Sequence, residues 1–473
     1  MLAEPECLVR PVDSVTSESP NIDTLSEPID ESAFGSFVSG VALTFGTRLM
    51  MLAGVFGSGL IVARWLGPEG FGIFAVLNVT VFLALQIGSA GLPSANTFFI
   101  ARDRTVAAPV SANAIVFGLL VGSLLATAIL NVDWMRPSLF GKVSAQLLLI
   151  AAVSIPFQML TLLGLNILLA LDKIRQLNLF DGLSSLCVFL NAIIVLIVLR
   201  RGLVIFISLN TAAFILLSLL LVVYLFRVAA KRSSRIRPDF NLLKAMLAYG
   251  LKFCISILAF AVILRADLLI VNHFRGAAEA GIYGIASQFS FLLLMLPGVI
   301  ASLLFPRVAA SQDERAEFAV RVTRHTTLIL LLTCLVTAGL SFLLPFIYGA
   351  RFSDATLQLL ILLPGIFLMG IESVLVQHFT GTGLPWSIPA FWVITLIFNV
   401  ILNLLTVPRF GARAAAVNST LSYALIFLLV AIYFRVKTGR GVADTFLLRG
   451  DDMQDLLKFK RASLRAASPR TTA

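Results

Sequence analysis

The sequence predicts an all-α polytopic membrane protein of about twelve transmembrane helices, arranged as two six-helix bundles with both termini in the cytoplasm. Of its 473 residues, 59% are hydrophobic and only 13% are charged, and the mean hydropathy is +0.97. Soluble proteins are usually about 45–50% apolar and about 25% charged. Because a spanning helix needs about 20 apolar residues, a chain of this length with short connections holds roughly a dozen.

Twelve apolar runs mark the predicted spans. They lie near residues 36–63, 72–98, 109–130, 144–170, 177–199, 203–226, 243–270, 281–304, 323–347, 356–379, 387–407 and 412–434. Runs longer than about 25 residues would have to tilt, kink or protrude beyond the hydrocarbon. No connection is long enough to hold a catalytic domain, so the function must reside in the membrane region.

Both ends of the chain differ from the middle. Residues 1–33 hold eight acids and one arginine, so they carry a net charge of −7 and leave +18 for the rest. Their Ser-, Pro- and acid-rich composition predicts a disordered cytoplasmic tail. They also lack the features of a cleaved secretory signal, so we expect the first span to act as a signal anchor. Residues 436–473 predict a basic tail that either forms an amphipathic helix on the inner leaflet or enforces topology.

The orientation follows from Lys and Arg in the connections. With the N-terminus inside, the inner connections carry fourteen and the outer connections nine, as the positive-inside rule requires. A basic linker, residues 228–241, would join an N-terminal bundle (34–227) to a C-terminal bundle (242–435). Because each bundle has an even number of spans, a duplication would give parallel repeats with a substrate path between them.

Two glycine-rich corners support this duplication. Gly67 and Gly72 of the first corner are five residues apart, and the same spacing recurs at Gly276 and Gly281. The helix before the first corner is weakened by three further glycines, which predict a hinge. These candidate hinge residues are Gly54, Gly57 and Gly59. Arg64 and Trp65, which precede the corner, are expected as an interfacial anchor at the outer surface.

Charged residues inside predicted spans are the first candidates for function. A charge at mid-bilayer costs at least about 2.5–3.5 kcal/mol, so it must face the protein interior or a water-filled cavity. Arg48 and Lys252 lie in the first span of each half. Together they would suit a diphosphate or another anionic group. Alternatively, they snorkel to an interface or pair with helix carbonyls.

Four other charges complete this set. Arg265 and Asp267 lie two positions apart, so they should not face each other on a helix and should have different partners. Glu372 is the most isolated acid in the membrane, and it would suit proton coupling; the alternative is an ion pair with Arg48 or Lys252. Asp181 is expected at the inner interface.

Several chemistries are not indicated. The four cysteines are scattered and the three histidines have no carboxylate at ligand spacing, so we expect no metal site. No phosphate-binding loop, dinucleotide motif or nucleophile elbow occurs, and no cofactor is expected. The basic runs adjoin the membrane without interleaved aromatic residues, which argues against nucleic acid.

The corner sequences carry a family resemblance. ARWLGPEGFGIFAV and GSAGLPSANTFFIAR resemble the N-terminal signature of polysaccharide-unit flippases, the Wzx-like O-antigen and exopolysaccharide translocases. They belong to the multidrug/oligosaccharidyl-lipid/polysaccharide exporter superfamily. RADLLIVNHFRGAAEAGIYGIASQF is similar to the family's second-half motif, with Asp267 at its acidic position. NVILNLLTVPRFGARAAAVNSTLSYAL resembles its last helical pair, so the resemblance covers residues 36–435.

This resemblance implies a transporter, not an enzyme, in the bacterial inner (plasma) membrane. It would move an undecaprenyl-diphosphate-linked oligosaccharide from the cytoplasmic to the periplasmic leaflet by alternating access, during cell-surface polysaccharide synthesis. Arg48, Lys252 and Arg265 would form a cationic cavity, with Asp267 and Glu372 as coupling or structural acids. The expected partners are the lipid-linked substrate, the bilayer, a polysaccharide polymerase and other assembly proteins. The candidates for sugar contacts, or for hydrogen bonds between helices, are Asn96, Gln158, Asn166, Gln288 and Gln377.

Three other functions compete with this interpretation. A drug or cation antiporter of the same superfamily would line its cavity with acids, and few buried acids occur here. A major-facilitator carrier would show a glycine-containing charged turn after the second span, where this chain has FIARDRTVAAP. A membrane enzyme of polysaccharide assembly would need a large outer loop or a mid-span histidine.

Overall fold

The computed structural model describes residues 31–135, 140–141, 143–230, 237–311, 316–381 and 385–440. The predicted N-terminal tail up to residue 30, residues 231–236 of the basic linker and the tail after residue 440 lie outside the described residues. So do the side chains of Arg48 and Lys252, although both positions are helical. The described regular structure is helical throughout, which confirms the all-α prediction for this part of the chain.

The helices are α1 (Glu31–Ser89), α2 (Leu92–Arg102), α3 (Ala107–Met135), α4 (Ala145–Ala170), α5 (Ile174–Ala192), α6 (Leu203–Ala230), α7 (Phe240–Arg275), α8 (Ala277–Ser311), α9 (Glu317–Ser341), α10 (Leu344–Tyr348), α11 (Asp354–Gly381) and α12 (Ser387–Thr438). A π-helical turn, Ile193–Val198, extends α5. Ten segments of the described chain are long and apolar enough to cross a membrane. The two short helices α2 and α10 are not among them.

The 52-residue helix α12 reverses direction at Gly411. The backbone there is non-helical, with φ 65° and ψ −151°. A continuous helix would separate Asn399 from Ser422 by about 35 Å along its axis, yet the Asn399 amide donates to the Ser422 hydroxyl at 3.0 Å. Residues 387–410 and 412–438 therefore lie side by side as a hairpin.

A second reversal divides α1 at Gly67, where φ is 67° and ψ is −174°. A Cβ built on Gly59 would lie 3.7 Å from the Phe71 ring, whereas a continuous helix would place these residues about 18 Å apart. Pro68 opens the second segment, at a position where its missing N–H would have no helical partner in any case. Both reversals fall in connections predicted from the sequence.

The helices pack around two apolar clusters. The larger one joins residues from α1 and α4 to residues from α7, α8, α11 and α12, including Val76, Ile155, Ile263 and Ile366, all at most 1% exposed. The smaller one lies among α2, α3, α4 and α6, and it also includes Met246 from the start of α7. The first turns of α7 therefore pack against the N-terminal helices, while its remainder packs against α12.

Two pairs of glycines let backbones from the two parts of the chain meet. A Cβ on Gly72 would collide with the Ala277 carbonyl and come within 3.0 Å of the Gly281 nitrogen. At the opposite end of α7, a Cβ on Gly250 would lie 2.8 Å from the Gly91 carbonyl. Such approaches require the absence of side chains. Substituting any of these glycines would force the helices apart.

Candidate functional site

A cavity of about 600 Å³ lies between the two parts of the chain. Both segments of α1 line it, together with α4, α5, α6, α7 and α8. Its aromatic wall consists of Phe56, Phe71, Phe74, Phe82, Phe214 and Phe291, and its polar groups are Ser58, Asn78, Gln158, Asp181, Ser184, Ser185, Arg265 and Gln288. Mostly apolar walls with a few convergent polar groups are typical of small-molecule binding sites of this size.

Arg265 brings a positive charge to this cavity from α7. Its guanidinium carbon lies 4.7 Å from the centroid of the Phe291 ring, which also lines the cavity. The electron-rich face of the ring stabilises the cation without using its N–H groups. No described residue accepts a hydrogen bond from this guanidinium, so its planar set of donors can bind an anionic oxygen bidentately.

Asp267, two residues further along α7, belongs to a separate polar cluster. Its carboxylate is 1% exposed. One oxygen accepts the Leu268 N–H at 2.8 Å, and the other accepts the hydroxyls of Tyr283 and Ser419, the latter at 2.9 Å. Three donors offset the cost of burying this charge. The described hydrogen-bond partners of Asp267 thus differ from the ring that Arg265 contacts.

The cluster continues along the α12 hairpin as a row of buried amides. Asn403 donates to the Asn399 oxygen at 3.1 Å. Asn418 donates both to the Asn403 oxygen at 3.1 Å and to the Thr406 hydroxyl at 2.8 Å. The three asparagines belong to the motif of the last helical pair, which carried part of the family resemblance. Their bonds hold the two segments of the hairpin together, because an unpaired amide in this apolar setting would be costly.

Glu372 has a different environment from Asp267. It lies within α11, outside the cavity, and is 1% exposed. Its Oε1 has no hydrogen-bond partner among the described residues. The expected alternative, an ion pair with Arg48 or Lys252, depends on side chains outside the described set. Glu372 is therefore the acid whose burial the described contacts do not offset.

The candidate hinge glycines serve close packing in this conformation. Residues 31–66 are helical without a break at Gly54, Gly57 or Gly59. A Cβ on Gly54 would lie 3.1 Å from the Ser185 carbonyl of α5, and one on Gly59 would lie 3.6 Å from the Gln288 side chain. Their role as a hinge stays a prediction.

The five amide candidates divide into two groups. Gln158 and Gln288 line the cavity, although the Gln158 amide also donates to the Ser154 hydroxyl at 2.9 Å. The other three amides donate to backbone carbonyls at 2.8–3.4 Å. These are Asn96 to Leu163, Asn166 to Leu162 and Gln377 to Ser373.

The structure also places residues that the sequence had not assigned to a site. Asp181, expected at the interface, lies two turns into α5 and lines the cavity beside Ser184 and Ser185. Arg64 donates to two backbone carbonyls of the α9–α11 connection, and its expected role as an interfacial anchor stays a prediction. Each placement depends on residues that are distant in the sequence, so no local sequence pattern predicted it.

The fold defines a multi-pass α-helical membrane protein with a cavity between the two parts of its chain. The chain belongs to a family described as "Polysaccharide biosynthesis protein", whose profile matches residues 61–357, more than half of its length. This agrees with the resemblance carried by the corner sequences. In Haloferax volcanii, the "Probable low-salt glycan biosynthesis flippase Agl15" is 23% identical over 203 residues, which are 42% of this chain and 43% of that relative. The match therefore spans less than half of the relative's length.

Solved structures share the fold. One is an inward-facing multidrug resistance MATE family transporter of the MOP superfamily, with a TM-score of 0.69, 16% identity and coverage of 84% of this chain and 98% of that one. Another is the lipid II flippase MurJ in an inward closed conformation, with a TM-score of 0.67, 17% identity and coverage of 90% and 91%. At these identities the likeness establishes the architecture alone.

Proposed function

We propose that this protein is a flippase for an oligosaccharide linked to a polyprenyl diphosphate such as undecaprenyl diphosphate. It would move the headgroup from the cytoplasmic to the outer leaflet of the plasma membrane by alternating access. Membership in the polysaccharide biosynthesis family and the flippase named among its relatives support this substrate class. A polysaccharide polymerase and other assembly proteins would use the product on the outer side.

The proposed topology has twelve spans in two bundles, residues 34–227 and 242–435, with both ends in the cytoplasm. The two hairpins in α1 and α12 each supply two spans, which raises the ten apolar segments to twelve. Contacts between connections support this arrangement. The Gly67 corner meets the start of α8, and the Glu279 carboxylate of α8 accepts the Ala412 N–H of the α12 corner at 2.7 Å. All three corners would face outward.

Connections that follow even-numbered spans lie on the opposite face of the molecule. Arg104 pairs with Asp172, which joins the turns after α2 and α4. Asn113, near the start of α3, exchanges two hydrogen bonds of 2.9 Å with the backbone of Asp239, just before α7. These connections follow even-numbered spans, as a chain that starts on the cytoplasmic side requires. The excess of Lys and Arg in them supports the same orientation.

The observation that carries the proposed function is the guanidinium of Arg265 in the central cavity. A diphosphate could bind its N–H groups bidentately, while Gln158, Gln288 and Asn78 offer hydrogen bonds to sugar hydroxyls. Arg48 supports the same site, because Met51 and Leu52, three and four residues later, both line the cavity. Arg48 is therefore proposed as the second cation of this site. Lys252 is the third cation proposed for this site.

The cavity can hold the headgroup, and the lipid chain has little reason to enter it. A volume of about 600 Å³ holds a drug-sized ligand. The polyprenyl chain is as apolar as the bilayer, so it gains little by leaving it. We infer that the diphosphate and the sugars enter the cavity while the chain stays among the lipids.

The two buried acids would have different roles. Asp267 already accepts three hydrogen bonds, so its contacts favour a structural role that joins α7, α8 and α12. Glu372 has an oxygen without a partner, so an arriving proton or cation would find an unused ligand there. Glu372 is therefore our candidate for coupling transport to an ion gradient.

Transport in liposomes tests this function. Purified protein is reconstituted with a short-chain polyprenyl-diphosphate oligosaccharide, and a glycosidase added outside reports the exposed sugar. Arg265→Ala should lower the initial rate about tenfold or more at limiting substrate, because a hydrogen bond to a charged group contributes roughly 1.5–3 kcal/mol. Arg409→Ala, which removes an exposed arginine from the α12 corner, should transport like the parent. Equal rates for both variants and the parent would contradict a diphosphate role for Arg265.

A second function, export of an apolar organic cation, has one observation in its favour. The cavity has several phenylalanines in its wall and contains the carboxylate of Asp181, and both features attract such cations. The same liposomes separate the two functions. Uptake of a fluorescent organic cation that Asp181→Asn abolishes, with no exposure of the lipid-linked sugar, would support export and contradict flipping.

A further inference from the structure

The connection between α9 and α11 forms a compact loop rather than a simple turn. It contains the one-turn helix α10, then Gly349 with φ 105°, and then the 3-10 turn Ala350–Phe352. This loop lies beside the Gly67 corner: a Cβ on Gly67 would come 3.6 Å from the guanidinium of Arg351. It therefore shares a face of the molecule with the first reversal of the chain.

Arg64 ties this loop to α1. Its Nε donates to the Ile347 carbonyl at 2.6 Å and its Nη2 to the Phe346 carbonyl at 2.8 Å. The carbonyls in the last turn of a helix have no backbone donor, so the guanidinium satisfies two of them and complements their negative end. The partners are 283 and 282 residues apart in sequence. These two bonds thus join the N-terminal part of the chain to the C-terminal part.

Two aromatic side chains of the loop cover the cavity. Tyr348 and Phe352 are only 4% and 1% exposed. The Phe352 ring packs edge-on against Phe71, with 6.3 Å between centroids, and Phe71 lines the cavity. Tyr348 packs against Phe289 at 6.3 Å, and Phe289 in turn lies against a second aromatic ring of the cavity wall. The loop therefore reaches the cavity wall through contacts between aromatic rings.

We propose that residues 342–353 are the outer gate of the cavity and that Arg64 is the latch that holds it closed. This inference rests on the proposed alternating-access function and topology. The two halves must separate on this face to release the headgroup, and separation would break both Arg64 bonds and part Phe352 from Phe71. Arg64 is exposed, so water can replace its carbonyl partners and the latch can open in every cycle.

The chain offers a matched control on the same face. Arg413, at the α12 corner, is also exposed and donates to Asp354 at 3.2 Å. Both partners of this pair belong to the C-terminal part of the chain, on α12 and α11. Removing Arg413 therefore deletes a similar exposed contact without releasing one half from the other.

Accessibility of a cavity cysteine tests the latch. Asn78→Cys is introduced after the four native cysteines are replaced by serine, and an impermeant maleimide is added to the outside of intact cells. Arg64→Ala should raise the labelling rate roughly two- to fivefold, as expected for the loss of an exposed charged contact. Arg64→Lys should fall between the parent and Arg64→Ala, because one ammonium group does not reproduce the two-carbonyl geometry. Arg413→Ala should match the parent.

The outcomes separate this inference from the proposed function. A parental labelling rate in Arg64→Ala, or an equal rise in Arg413→Ala, would overturn the latch. Trp134→Cys, at the end of α3 and 81% exposed, should label equally in every variant and so reports folded protein on the outer face. Failure to label this site from outside would contradict the outer position of the gate. Labelling needs no substrate, so a liposome experiment without flipping leaves a positive gate result intact.

Discussion

Three of the charged side chains within the membrane helices have clearly different environments. Asp267 accepts three hydrogen bonds, Arg265 rests on an aromatic ring beside the cavity, and Glu372 has an oxygen without a partner. Hydrogen bonds offset the cost of burying a charge, whereas a buried charge without them costs free energy. The unbonded groups are therefore the better candidates for binding and coupling.

Replacing Glu372 with Gln tests its proposed role in coupling. The amide keeps the shape of the side chain but cannot take up or release a proton at any ordinary pH. Transport should therefore lose most of its dependence on an imposed proton or sodium gradient, while flipping down the substrate gradient continues. Liposomes with and without the gradient supply the comparison. Asp354→Asn, at the exposed start of the same helix, serves as the control. A gradient dependence that survives in Glu372→Gln would rule this residue out as the coupling group.

Removing Asp267 should instead destabilise the protein. Asp267→Ala leaves the buried hydroxyls of Tyr283 and Ser419 without their acceptor, which should cost roughly 2–4 kcal/mol in the free energy of unfolding. A lower midpoint of thermal unfolding in detergent would show it. Ser419→Ala removes one donor and should cost less, and the double variant should resemble Asp267→Ala because both changes affect one network. A midpoint equal to that of the parent would contradict a structural role.

The sequence shows which charged residues lie in apolar runs, but it does not show which groups most of them contact. The two-residue spacing of Arg265 and Asp267 was enough to assign them to opposite sides of α7. Ser419, however, is 152 residues from Asp267, and no local pattern links them. Asp181 lies near the end of an apolar run, so hydropathy placed it at the interface; the packing of α5 against α1 places it at the cavity.

At the scale of elements, glycine determines where helices turn and where they touch. The reversals at Gly67 and Gly411 adopt positive φ, which a glycine tolerates at no steric cost. Both were predictable because each lies within three residues of a proline, between two apolar runs. The short helices α2 and α10 were not, since their apolar residues merge with the longer runs beside them. Hydropathy alone cannot divide a continuous apolar stretch.

The contact between Gly72 and Gly281 gives a prediction for the α1–α8 packing. Gly281→Ala would drive a Cβ into the Pro68 carbonyl and the Gly72 backbone, which should cost roughly 1–3 kcal/mol by overpacking. On the same helix, Gly298 has nothing within 4 Å of its Cβ position. Gly298→Ala should therefore be neutral or stabilising by up to about 1 kcal/mol, because alanine favours helix. Thermal unfolding in detergent measures both, and equal effects would contradict the close contact.

At the scale of the molecule, the repeated corners are the clearest sign of internal symmetry. Gly67 and Gly276 have nearly the same backbone conformation, with φ 67° and ψ −174° against φ 89° and ψ 171°. The glycines five residues after them, Gly72 and Gly281, pack against each other. Related corners that meet at one point support a parallel repeat about an axis along the membrane normal. The five-residue spacing made this predictable, although the cavity was not, because its lining comes from six separate helices.

Contacts that join the two halves on opposite faces lead to a prediction about the balance between the outward-open and inward-open states. Contacts on the two faces coexist in this structure: Arg64 joins the halves at the outer face, and Asn113 joins α3 to the start of α7 at the inner face. Each contact stabilises one closed face, so deleting either should shift the population toward opening on that face only. Asn113→Ala should therefore raise labelling of Asn78→Cys in inverted vesicles and lower it in intact cells.

The double variant makes this prediction decisive. If the two contacts oppose each other across one equilibrium, Arg64→Ala combined with Asn113→Ala should return the ratio of outer to inner labelling close to that of the parent, because the two shifts have opposite signs. If the contacts are local braces without influence on the opposite face, each variant should raise labelling on its own face and leave the other face unchanged. Only the first result is compatible with a cavity that is exposed to one side of the membrane at a time.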